Sequence, residues 1–178
     1  MREGHYDELI EAVCRLIAER GAYGVSFGDV SREAGVSKGT LSYYFSSKDG
    51  LVEAAAEQSI KRLSSALLAW VDSVAPEAAP EAPLDALCDA MLADGTPLRV
   101  FISVNGVVSS GSELEAALDR ALGEWSVMID VGSMRMRPEV SARMKRLSSA
   151  VIPFLCGLAA LNADIAYAKE AFTALVLG

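Results

Sequence analysis

The twenty residues from Ser26 to Phe45 constrain the fold of this chain more than any other stretch. Ser26 is an N-cap residue with Asp29 three positions later, the spacing of a capping box. The short helix it opens runs into Gly35, and Ser37 then caps another short helix over about 38–45. Two short helices separated by so few residues must meet in a sharp corner. A corner of that kind needs a residue that accepts positive φ, which glycine does at no steric cost. Ser31 and Ala34 are small enough for the helices to approach, while Val30, Val36, Leu41 and Phe45 supply the apolar contacts between them.

The rest of the chain has the same helical period. Leu9, Val13, Leu16 and Ile17 make one stripe over about 5–20, which Gly21 and Gly24 end. Ser47 caps a long helix whose stripe is Val52, Ala56, Ile60, Leu63, Leu67, Trp70 and Val74, stopped by Pro76. A Pro/Ala/Glu connector over 75–83 follows, then a helix from Leu84 to Ala93. Thr96-Pro97 reads as an N-cap with proline at the first helical position. The β-branched run from Val100 to Val108 has strand propensity, but a lone strand among helices has no partner for its backbone groups, so the expectation is a buried helix. Further helices are expected over about 113–132 and 138–161, the second loosened or kinked at Pro153, and a last one is capped by Asn162 or Asp164. The expected fold is all-α with about nine helices: a three-helix module over 1–46 and a larger helical domain over 47–178.

Composition narrows the chemistry. With 52% hydrophobic and 22% charged residues the chain can bury a core, and it has no apolar run near the roughly 20 residues of a membrane span. Its first residues are charged rather than those of an apolar leader, and no membrane association is expected. Cys14, Cys88 and Cys156 are far apart and odd in number, so they form neither a metal spacing nor a disulfide framework and suit a reducing cytoplasm. The single histidine, His5, lies near a frayed end. No Ser/His/Asp constellation, metal cluster or Gly-rich phosphate loop is present, so the expectation is a protein with no metal or cofactor and no enzymatic activity. Net charge is −8; residues 1–50 carry six Lys/Arg against eight Asp/Glu, so the first module is itself slightly acidic. A local patch can still hold phosphate.

The helix after Gly35 can be laid out at about 100° per residue. With Leu41 inward, Phe45 falls about 40° away and is also inward, Gly39 and Tyr43 lie about 160° away, and Thr40 and Ser42 flank them at about 100°. The outward face contains no acid. This is the helix-turn-helix layout, whose second helix enters the DNA major groove. Gly39 lets the backbone approach the groove floor, Thr40 and Ser42 can bond base edges or phosphates, and Tyr44 suits a phosphate. Lys48, at the start of the next helix, adds a cation to free backbone N–H groups. With Lys38 at the helix edge and Ser26 on the DNA backbone, the candidate DNA-binding residues are Ser26, Lys38, Gly39, Thr40, Ser42, Tyr43, Tyr44 and Lys48.

Gly35-Val36-Ser37-Lys38-Gly39-Thr40-Leu41, followed by Tyr44-Phe45, Ser47-Lys48 and Leu51, resembles the TetR family of bacterial transcriptional repressors over about residues 5–55. The chain departs from the family pattern at Ser42, usually tyrosine, and at Ser31, usually alanine. The resemblance implies an all-helical homodimer, a double-stranded operator of palindromic sequence as partner, and a C-terminal domain that dimerises through its last two long helices. It also implies a small-molecule effector whose binding moves the fourth helix and releases the operator. Two recognition helices about 34 Å apart enter successive major grooves, and a ligand preferring another separation shifts that population.

Beyond the module the sequence is less specific. Met91, Phe101, Asn105, Trp125 and Met128 are candidates for a ligand pocket, each with a plainer reading as core; the Ala/Val/Leu-rich lining suits an apolar or aromatic ligand. Asn105 stands out because a buried amide needs partners. The helices over 138–161 and 164–177 are apolar on more than one face, which makes Leu147, Val151, Leu155, Ile165 and Phe172 candidates for a two-fold interface. The acidic balance of residues 1–50 keeps an alternative open, a helical binding protein that uses the module for protein contact.

Overall fold

A computed structural model describes residues 3–178, with side chains from Tyr6 onward. The His5 side chain lies outside the described residues. The described residues form nine α-helices: α1 Glu3–Arg20, α2 Phe27–Ala34, α3 Lys38–Tyr44, α4 Lys48–Ser73, α5 Ala82–Leu92, α6 Thr96–Asn105, α7 Glu113–Met134, α8 Pro138–Ala160 and α9 Ile165–Leu177. A 3-10 turn, Ala22–Gly24, joins α1 to α2. The Val100–Val108 run is helical through Asn105, as its lack of a strand partner requires.

The helix boundaries follow local chemistry. Ser47 Oγ accepts from the Gly50 N–H, Ser112 Oγ from Glu115, and Asp164 Oδ1 from Ala166 and Tyr167. Asn162 is therefore not the cap of α9; it turns to φ 50° in the connecting loop and its Oδ1 accepts from Arg99 at 2.6 Å. Thr96 is the first residue of α6 rather than its cap, because the Asp94 carboxylate already accepts the Thr96 N–H at 3.1 Å. α8 continues unbroken through Pro153, whose ring is exposed.

One apolar core runs through both parts of the chain. Leu9, Val13, Leu16 and Ile17 of α1 join Leu51, Leu63 and Leu67 of α4, Leu98 and Val104 of α6, Trp125 of α7 and Phe172 of α9. α4 packs on α1, α5, α6 and α7 and so connects the first module to the rest. Trp70 on α4 donates its Nε1–H to the Pro83 carbonyl at 2.8 Å. Trp125 donates to Ser64 Oγ at 2.8 Å, and its ring packs on Phe101 with centroids 4.8 Å apart. Both buried indoles thus have partners for their single donor.

The packing corrects several sequence expectations. Val151, Leu155 and Phe172 are fully buried inside the chain, because α8 packs on α5, α6, α7 and α9, and α9 on α5 and α8; their side chains are not presented to a second copy. Leu147 and Ile165 are half-buried. The outward side of these helices is instead Ala150, Pro153, Gly157, Leu161, Tyr167, Ala174 and Leu175. Asn105 is not a buried amide: α6 turns Phe101 and Val104 inward and leaves Asn105 exposed at its end.

Candidate nucleic-acid interface

The first module is built on the corner between α2 and α3. The Ser26 side chain accepts from the Asp29 N–H while the Asp29 carboxylate accepts the Ser26 N–H at 3.1 Å, a complete capping box reinforced by a hydrogen bond from the Ser26 hydroxyl to Asp29. At the other end Gly35 takes φ 67°, ψ 27°, and its N–H returns to the Ser31 carbonyl. A side chain there would be strained. Ser37 Oγ then accepts the Thr40 N–H at 3.0 Å and starts α3.

Behind α3, Leu41 is completely buried and Phe45 nearly so; burial of such side chains contributes about 1.5–3 kcal/mol each. The outward face carries the residues expected there. Lys38, Gly39, Ser42 and Tyr43 are exposed, Thr40 and Tyr44 half-buried. Tyr43, 69% exposed, packs edge-on against Tyr44 with centroids 5.2 Å apart. The Thr40 hydroxyl is 2.9 Å from Ser37 Oγ, so it is engaged by its own cap while its methyl group stays available.

The charge arrangement explains how a slightly acidic module can present such a face. Asp29 is paired with Arg32 at 2.8 Å and Arg20 at 3.6 Å, and Glu33 with Arg15 at 3.3 Å. The Ser26 hydrogen bond, together with these arginines, holds the Asp29 carboxyl below the usual carboxylate range. Among the described residues Lys38 enters no ion pair. Its side chain lies over Gly28, where an added Cβ would stand 3.7 Å from Lys38 Cε. Ser26, Gly28 and Lys38 thus meet at the start of α2.

Lys48 departs from the sequence picture. It is exposed at the first position of α4, but its ammonium donates to the Tyr23 carbonyl at 2.7 Å and ties α4 to the 3-10 turn. Two contributors escaped sequence reasoning. Tyr6 of α1 stacks on Phe45 at 5.9 Å and tilts against Tyr44 at 5.7 Å, supporting the end of α3; its position one turn before Ile10 is the signal that could have found it. Ser37 does more than cap α3: the same three-residue spacing brings its Oγ to the Thr40 hydroxyl.

Residues 9–55 match the family described as bacterial regulatory proteins, tetR family. Residues 9–55 therefore form a module of the TetR type. Its TetR module is 41% identical over 66 residues to the HTH-type transcriptional regulator BetI of Burkholderia cenocepacia, a match covering 37% of this chain and 34% of that protein. It is 39% identical over 54 residues to the uncharacterized HTH-type transcriptional regulator YvdT of Bacillus subtilis, covering 30% of this chain and 28% of that one. The chain therefore aligns with about a third of the length of these relatives. Over the full TetR fold, a family member from Streptomyces coelicolor superposes with TM-score 0.64 at 24% identity, covering 97% and 98% of the two chains. A Saccharomonospora viridis protein solved in complex with choline superposes with TM-score 0.77 at 17% identity, covering 98% and 96%.

The remaining candidates lie in the larger part. Met91, Phe101 and Trp125 are buried in the core and Met128 is half-buried. A cleft of about 280 Å³ opens elsewhere, between the 3-10 turn, the start of α4 and the α6–α7 connection, and none of the five ligand candidates lines it. Burial raises the thiols of Cys14 and Cys156 to about 11 and that of Cys88 to about 12. All three therefore stay protonated at neutral pH, which disfavours redox sensing.

Proposed function

We propose that this chain is a transcriptional regulator of the cytoplasm that binds a palindromic operator as a homodimer and acts as a repressor. The observation that carries the reading is the outward face of α3: Lys38, Gly39, Ser42 and Tyr43 exposed, no acid among them, on a helix pinned from behind by Leu41 and Phe45. Pairing with arginines occupies Asp29 and Glu33, the two acids of α2, and lessens their competition with phosphate. A two-fold interface is proposed on the outward side of α8 and α9, where Leu161 is 80% exposed and Pro153, Gly157 and Tyr167 are exposed as well. Release by a small effector with an apolar or aromatic body completes the reading. An effector seated by Met91, Phe101, Trp125 and Met128 has to part rings that now touch.

The test is selection of bound fragments from the source organism's genomic DNA at two salt concentrations. Enrichment of a palindromic site whose affinity falls steeply with salt supports the proposal. Absence of any enrichment at low salt, together with capture of a protein on the α3 face, would replace it with a module devoted to protein contact. Sedimentation showing only monomer at micromolar concentration would remove the dimer.

A further inference from the structure

The cleft at the junction of the two parts is lined on one side by Ala22, Tyr23, Lys48, Asp49, Val52 and Glu53 and on the other by the α6–α7 connection. Its volume of about 280 Å³ gives room for one small organic molecule. Val52, Val104, Val107, Val108 and Leu114 make an apolar floor. The polar groups on the rim are unbalanced. Asp49 and Glu53 lie one turn apart on α4, and among the described residues neither enters an ion pair. Lys48 is the one cation in the lining, and its ammonium is anchored to the Tyr23 carbonyl. The Tyr23 ring, 78% exposed, stands at the same rim.

We propose that this cleft binds a small organic monocation with an apolar body. The two exposed carboxylates and the face of Tyr23 hold the cationic head, since carboxylates at the mouth of an apolar cleft and an aromatic ring face both attract a cation. The valine floor takes the body. The occupant touches the 3-10 turn and the first turn of α4 on one side and the α6–α7 connection on the other. Next to it, Ser103 Oγ accepts the Ala22 N–H at 2.8 Å, a link between the same two parts. Filling the cleft therefore changes the seating of the DNA module on α6. That consequence, but not the binding itself, rests on the regulator reading.

The experiment is calorimetric titration of the full chain with benzyltrimethylammonium, with benzyl alcohol and phenylacetate as neutral and anionic counterparts. The expected result is saturable one-to-one binding of the cation, with the neutral compound at least tenfold weaker. The Asp49→Asn/Glu53→Gln double variant weakens the cation at least tenfold. Val108→Trp, which fills the cleft from the connecting loop, abolishes binding while circular dichroism and thermal midpoint stay unchanged. No saturable binding, equal binding by the double variant, or preference for phenylacetate overturns the proposal. DNA affinity measured without any cation keeps the two readings apart: cation binding without DNA binding sinks the regulator, and DNA binding without cation binding sinks the cleft.

Discussion

Ser103 on α6 accepts the backbone N–H of Ala22 at 2.8 Å, joining residues 81 apart in sequence. Ala22 is buried, so this amide has no water to turn to when the hydroxyl is lost. Ser103→Ala is expected to lower unfolding stability by about 1–3 kcal/mol, the cost of an unsatisfied buried donor. Urea denaturation measures it, and a variant as stable as the parent would show that the 3-10 turn does not depend on α6.

Tyr43 and Lys48 should separate two kinds of DNA contact. Tyr43 stands on the outward face of α3, whereas Lys48 sits at the N-terminus of α4. Tyr43→Ala is expected to change the ranking of operator sequences. Lys48→Ala should weaken all sequences alike and reduce the salt slope by about one. Binding measured on an operator series at several salt concentrations distinguishes them; an unchanged ranking in Tyr43→Ala would mean the reading face is misplaced.

Gly132 on α7 permits the approach of Trp70 on α4. A Cβ at this position would stand 2.3 Å from Trp70 Cζ3, and the indole cannot retreat easily because it is buried and bonded to the Pro83 carbonyl. Gly132→Ala is therefore expected to destabilise the fold by about 3 kcal/mol, at the upper end of overpacking costs, despite alanine's better helix propensity. A thermal midpoint at or above the parent's would refute it.

Which parts could be read from sequence follows from the range of the forces involved. The capping box of Ser26 and Asp29, the turn at Gly35 and the inward Leu41 depend on neighbours within a few residues, and the structure has them as expected. Val151, Leu155 and Phe172 belong to the core rather than to a two-fold interface, because periodicity shows that a face is apolar without showing what covers it. Asn105 was misplaced for a related reason: an amide within an apolar run is buried only if the helix continues past it, and α6 ends there. The junction cleft is not legible in the sequence, since it is formed by segments some 25 to 90 residues apart that no local pattern connects.

Ser31 is a buried residue of α2, at the crossing beneath α3. Its hydroxyl is buried and has no hydrogen-bond partner, while its carbonyl accepts the Gly35 and Val36 N–H groups. Ser31→Ala removes the orphaned hydroxyl, keeps both backbone bonds and is expected to stabilise the chain by about 1 kcal/mol. Loss of stability in chemical denaturation would mean that the hydroxyl has a partner in solution.

The capping box of α2 should give the module an acid limit. The Ser26 hydrogen bonds, with Arg32 and Arg20, lower the Asp29 pKa from its ordinary 3.8. A carboxyl depressed in the folded state contributes its stability fully above the unfolded pKa and loses it as pH falls through the folded one. The contribution of Asp29 is therefore constant near neutrality and disappears below the normal carboxylate range. Asp29→Asn, which removes the charge but can still cap, should lie below the parent in thermal midpoint at pH 6 and converge on it as the pH is lowered towards 3. Melting curves of both proteins across that interval test the point. A gap that stays constant with pH would show that the Asp29 charge contributes nothing to holding α2 in place.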